Sequence, residues 1–158
     1  MTASTDAARP LWTCPACRRR FANRNQVHTC APLDLDHHFE DHGPEVRALF
    51  EAFLAAVRRL GPVTVLPEKT RIAFQTRMSF AQLTPRKQGF AGHLVLARAV
   101  VDPRFHKVET FSRRNHVHHF RLTDPAQLDA GFLAFLAEAY AVGNQEHLAS
   151  PRGVATRR

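Results

Sequence analysis

The residues best equipped for chemistry sit together at positions 13–30, TCPACRRRFANRNQVHTC, a stretch that holds all three cysteines of the chain. Cys14 and Cys17 form a C-x2-C pair; ten residues later His28 and Cys30 form H-x-C. A tight turn lets the first pair aim two thiolates at one centre, and Pro15 pre-sets φ for that turn. His28 and Cys30 can close the tetrahedron. Four N/S ligands favour zinc over magnesium or calcium and leave no open position for a substrate, so the predicted centre is structural. His37 and His38 compete with His28 for the fourth place, because H-x-C is shorter than the usual second pair. A thioredoxin-like pair would need a βαβ context, and no strand is expected before Cys14. A disulfide would leave one cysteine over in a chain without a secretory signal. Trp12, Phe21 and Val27 are the bulky apolar residues available for a mini-core, which is too small to fold without metal.

Histidine supplies the next candidates. On a strand, His116 and His118 share a face, and with His93 they could line a ligand pocket. Phe120 and Leu122 continue that face, which turns it inward and favours packed, hydrogen-bonded imidazoles. No Asp or Glu on the same strand could orient them. His37, His38 and His42 lie among Asp34, Asp36, Glu40 and Asp41, where a solvated connector is favoured over a second metal site. There is no G-x-S-x-G, phosphate loop or HExxH, and no paired acid/base constellation, so an enzyme is the least supported class.

Charge points to a partner. The net charge is +8, and residues 67–121 carry eleven basic against three acidic side chains. A GC-rich genome would explain arginine in place of lysine, though not that shortage of acids. Such a concentration is the footprint of a polyanion, either nucleic acid or an acidic protein. Arg71, Arg77, Arg86 and Lys87 are the candidate contacts. The wet sheet face is expected to show Arg71, Gln75, Arg77 and His93 without stacking aromatics, since Phe74 and Phe80 point inward. That predicts phosphate contact without base reading. No apolar run reaches membrane-helix length and the first residues lack a signal-peptide centre, so a cytoplasmic protein without membrane contact is expected.

The elements must position these groups. A disordered leader (1–10), the finger (11–31) and a linker (32–43) precede an α+β domain (44–148) and a basic, disordered tail (149–158). Pro44 and Gly61-Pro62 bound a helix whose stripe is Val46, Leu49, Phe50, Phe53, Leu54, Val57 and Leu60. Phe39 anchors the linker. Two-residue alternation then predicts strands at 63–66, at 71–83 (one bent strand, or two with a turn near Arg77), and at 93–100, 108–111 and 116–122. A loop at 84–89 carries Arg86 and Lys87. A last helix starts at Pro125 with Asp124 as its cap and buries Leu128, Phe132, Phe135, Leu136, Ala139 and Tyr140. The predicted fold is a curved antiparallel meander flanked by two helices.

Three segments, LWTCPACRRRFANRNQVHTC, GPVTVLPEKTRIAFQTRMSFAQLTPRKQGFAGHLVL and VHHFRLTDPAQLD, resemble bacterial members of domain of unknown function 5655. The resemblance covers about residues 11–148, and the finger and the TPRK segment are its most specific parts. It implies a layered α+β fold with a curved antiparallel sheet behind a zinc-finger-like segment. Related domains adjoin nuclease- or transport-like proteins, and distantly similar folds include frataxin-like iron chaperones. The alternative it implies is therefore a metal-handling, iron-chaperone-like or transport-associated module. It carries no catalytic role to any residue.

Overall fold

Pro44 at the first helical position and Gly61 after the last bound the long helix α1 (Pro44–Leu60), as its periodicity requires. Its stripe of Val46, Leu49, Phe50, Phe53, Leu54 and Val57 is buried, with Ala56 beside it. Leu60, expected in that stripe, is exposed, because the helix ends there and its last turn overhangs the core. The structure, a computed structural model, describes residues 10–28, 30 and 34–149. The leader and tail expected at 1–10 and 149–158 lie outside it, apart from Pro10 and Ala149.

The finger is a hairpin of β1 (Trp12–Thr13) and β2 (Arg20–Phe21). A two-residue strand does therefore precede Cys14, though in a hairpin and not in a βαβ unit. Between finger and α1, Leu35–Phe39 forms a 3-10 turn capped by Asp34. This segment is more than a solvated connector: His38 and Phe39 are buried, and Phe39 packs on Phe50 at 5.3 Å. Arg47 of α1 holds it by bonding Asp36 at 2.7 Å and lying over the Phe39 ring.

The main sheet has six antiparallel strands: β3 (Thr64–Pro67), β4 (Ile72–Gln75), β5 (Ser79–Arg86), β6 (Gly89–Leu96), β7 (Lys107–Ser112) and β8 (Asn115–Leu122). Their order is β3-β4-β5-β6-β8-β7. The meander holds through β6. Thereafter β8 inserts beside β6 and pushes β7 to the edge, and the β6–β7 connection crosses the helix side of β8, where the Val100 N–H bonds His118 and Phe105 packs on its ring. The expected run 71–83 is a hairpin turning at Thr76–Met78, with a register shift at Phe74/Gln75. The loop expected at 84–89 shrinks to Lys87 and Gln88, since Arg86 pairs with Gly89. That shortening starts β6 at Gly89, four residues before the expected His93. Gly89 sits at φ +151°, and a Cβ there would strike the Leu122 carbonyl.

The last helix begins later than expected. Asp124 caps only a 3-10 turn, Pro125–Gln127, in a reciprocal capping box with Gln127. The helix proper, α2 (Ala130–Gly143), is capped by Asp129, which accepts from the Phe132 N–H. Phe132, Leu136 and Ala139 are fully buried, whereas Leu128, Phe135 and Tyr140 are half-buried at its flanks. At its end the Gly143 carbonyl accepts the N–H groups of Arg77 and Met78, at 3.1 and 2.9 Å, and so fixes the β4–β5 turn. A short helix, α3 (Glu146–Ala149), follows. Both long helices pack against the sheet and each other, around a core of Phe50, Phe53, Phe74, Phe80, Phe90 and Phe120. The fold is α+β. None of its described helices is long and apolar enough to cross a membrane.

Candidate metal centre and sheet groove

The knuckle between β1 and β2 is closed by the Cys14 N–H bonding the Arg19 carbonyl and the Arg18 N–H bonding the Cys14 carbonyl. Arg18 takes φ +66° to make the turn. This brings Cys14, Cys17, His28 and Cys30 together, with their ligand atoms all within 4.8 Å of one another. Cys14 and Cys30 Sγ are 3.7 Å apart, and His28 Nε2 lies 3.3 Å from Cys17 Sγ and 3.2 Å from Cys30 Sγ. His28 Nδ1 bonds the Gln26 carbonyl at 2.6 Å, which assigns the proton to Nδ1 and leaves Nε2 free to face the sulphurs. The four side chains can hold one metal ion.

The thiols respond to this crowding. The Cys17 backbone N–H holds the Cys14 thiol below its usual range, and the Arg19 N–H does the same for Cys17. Cys30 is pushed up to about 11, foremost by its hydrogen bond with Cys14. Three sulphurs competing for shared protons is the arrangement a cation relieves.

Neither competing histidine joins them. His37 pairs with Glu40 at 3.3 Å, and His38 is buried within the linker's own 3-10 turn. The linker histidines form no second metal-ligating group among the described residues. The mini-core also differs from expectation: Val27 is 92% exposed, and the His28 ring takes its place, 4.4 Å from Phe21 and 6.4 Å from Trp12. The ligand doubles as the packing partner.

The finger does not hang free. Gln75 Nε2 donates to the Arg20 carbonyl at 2.7 Å, and the Ala22 N–H bonds the Arg77 carbonyl at 3.1 Å. The finger therefore covers part of the sheet face opposite the helices. That explains why Leu66, Ala73 and Gln75 are buried there, although alternation had placed Gln75 in water. Arg77 lies in the β4–β5 turn, half-buried, with Nε on the Gln145 carboxamide at 2.8 Å.

Beyond the finger the open face is concave. One cavity of about 300 Å³ lies at the finger–sheet junction and is lined by Arg19, Arg71, Arg77 and Gln82. A second, of about 410 Å³, continues across the sheet past Arg71, Gln82, Arg86, His93, His119 and Phe111. Arg71 and Gln82 are common to both, so the two form one groove. Arg71 is tied to Glu68 at 2.8 Å. Arg86 and Lys87 are exposed at the β5–β6 turn.

The predicted pocket of His93, His116 and His118 does not assemble. His118 is fully buried on the helix side, where its Nε2 accepts from the Val100 N–H at 2.9 Å. His116 bonds Thr110 and the Arg113 carbonyl. Both are packed sheet histidines, as their apolar face implied. His93 points the other way and pairs across β6 and β8 with His119. His119 Nε2 is 2.7 Å from Glu109 Oε1 on β7. Burial, then the neighbouring His119 and Arg71, lower the His93 pKa to about 4.

Sequence reasoning missed three residues of this groove: His119, Glu109 and Phe111. The signal for His119 was its alternation against inward His118. Phe111 stands two residues from Glu109 and shares its face, at a register shift where it is the unpaired residue. It is 67% exposed, so the open face does carry an aromatic ring.

No curated protein and no solved structure matches the chain. The model of the family described as Domain of unknown function (DUF5655) matches residues 35–143, beginning just beyond the Cys/His group. That span is more than half of the chain, and the chain belongs to this family.

Proposed function

We propose that the protein is a zinc-stapled binding module whose basic sheet groove takes the phosphate backbone of nucleic acid. The observation that carries this reading is the groove from finger to sheet edge, whose lining holds Arg19, Arg71, Arg77 and Arg86 together with two carboxylates, Glu68 and Glu109. A concave, cationic surface raises the local concentration of a polyanion and contacts it without reading sequence. Zinc suits the cluster on both chemistry and size. Tetrahedral zinc, about 2.3 Å from sulphur and about 2.0 Å from nitrogen, gives ligand–ligand edges of roughly 3.5–3.8 Å. The short contacts here are 3.2–3.7 Å. With four protein ligands the ion holds the finger's shape and does no chemistry on a substrate. Binding of a labelled oligonucleotide at low salt, weakened several-fold by Arg86→Ala with Lys87→Ala, tests the reading; equal binding by the variant overturns it.

A second reading rests on a different cavity. Between β8 and α2, about 390 Å³ is lined by Phe105, Phe120 and Phe132, with Arg104 held by Asp102 and Asp129. This space suits a small, largely apolar ligand. A screen of aromatic fragments that raises the melting temperature, with no oligonucleotide binding, would favour it.

A further inference from the structure

The groove's floor and rim indicate which form of nucleic acid it takes, an inference that rests on the reading above. We propose that the ligand is a single strand, with one base stacked on Phe111 and its phosphates drawn to Arg71 and Arg86. Phe111 lies on β7, the edge of the sheet, and presents a large apolar ring to water beside charged groups. It lines the same cavity as Arg71 and Arg86, so a base on the ring and phosphates at the cations can belong to one strand laid across the sheet. An aromatic platform beside a basic groove is how unpaired strands are held without sequence preference.

Size argues the same way. A cavity of about 410 Å³ is at the small-molecule scale and accommodates about one nucleotide. A duplex keeps its bases stacked inside and offers Phe111 no free face. The rest of the floor is polar. Glu109 faces His119 at 2.7 Å and Lys107 at 3.5 Å, and His93 lies against His119 with ring centroids 5.6 Å apart. Held neutral, His93 offers one donor and one acceptor to a base edge. His106 completes the wall on the β7 side.

The test compares a short fluorescein-labelled oligothymidylate with the same strand annealed to its complement, using the full-length, metal-loaded protein. The single strand should bind at least about tenfold more tightly than the duplex. Phe111→Ala should weaken single-strand binding by about 5- to 150-fold, the usual range for losing one stacked base. Phe111→Trp should restore it, and neither change should alter the salt dependence. Phe111 is exposed, so both variants should melt with the wild type. Equal affinity for the two forms, or no effect of Phe111→Ala, overturns the single-strand inference. If Arg86→Ala with Lys87→Ala still weakens binding in that case, the nucleic-acid reading stands without it. No binding of either form overturns both.

Discussion

Cys14, Cys17, His28 and Cys30 could be named from spacing alone, because a thiolate knuckle fixes its own local geometry. What spacing could not supply was the role of the His28 ring, which packs on Phe21 while its Nδ1 is held by Gln26. Loss of metal should therefore undo both ligation and packing. Cys14→Ser is expected to lower zinc content from about one per chain to near none. Trp12, the single tryptophan, should then change its emission, while far-UV circular dichroism stays near wild type because the α+β core is separate. Elemental analysis and the two spectra read this directly; full metal occupancy in the variant contradicts it. His93 yields a second prediction at this scale. Its pKa falls from an ordinary 6.5 to about 4 in the folded protein. The unfolded chain thus binds more protons between those values, and stability present above pH 6.5 is lost as pH falls toward 4. By linkage this loss is at most about 3 kcal/mol. Urea unfolding across that window should show a shallower pH slope for His93→Gln than for wild type. Identical slopes would mean that His93 is not desolvated.

The elements were legible wherever local periodicity or punctuation decided them. Helix α1 runs between Pro44 and Leu60 because its stripe and both boundary residues agree. Phe53 stands at the centre of that stripe, fully buried, with ring centroids 5.1 Å from Phe74 and 6.3 Å from Phe132. Phe53→Ala should cost roughly 3–5 kcal/mol in chemical denaturation, the usual result of leaving an aromatic-sized cavity. A loss below about 1 kcal/mol would show that the stripe does not face the core. Pairing order was not legible. The insertion of β8 between β6 and β7, and the turn of His93 toward His119, depend on non-local registers that alternation within one strand cannot specify. The start of α2 was misplaced for a different reason. Asp124-Pro125 and Asp129 are both sound caps, and the first closes only a 3-10 turn.

At the scale of the molecule, sequence suggested two bodies joined by a linker, whereas the finger rests on the sheet through Gln75–Arg20 and Ala22–Arg77 contacts. Docking also extends the groove, because Arg19 and the finger form one wall of the cavity at its near end. Chelation should therefore expose Leu66 and Ala73 as well as loosen the finger. Hydrogen exchange should quicken at the Ala22 amide, with β5 and β6 unaffected; unchanged exchange would mean that the finger is held without metal.

Charge tells less than composition promised. Arg98, Arg104 and Lys107 are each paired with carboxylates, and Arg71 with Glu68. Arg86 and Lys87 remain exposed at a turn whose loss should not disturb packing. The most direct test of the groove is the dependence of oligonucleotide affinity on salt, since each neutralised phosphate releases condensed counterions. For the wild type, log affinity should fall steeply and linearly with log salt concentration. In Arg86→Ala with Lys87→Ala the slope should flatten by about one to two units, with little change in sequence preference. A variant that keeps the wild-type slope, or a wild type that fails to bind at low salt, contradicts the account.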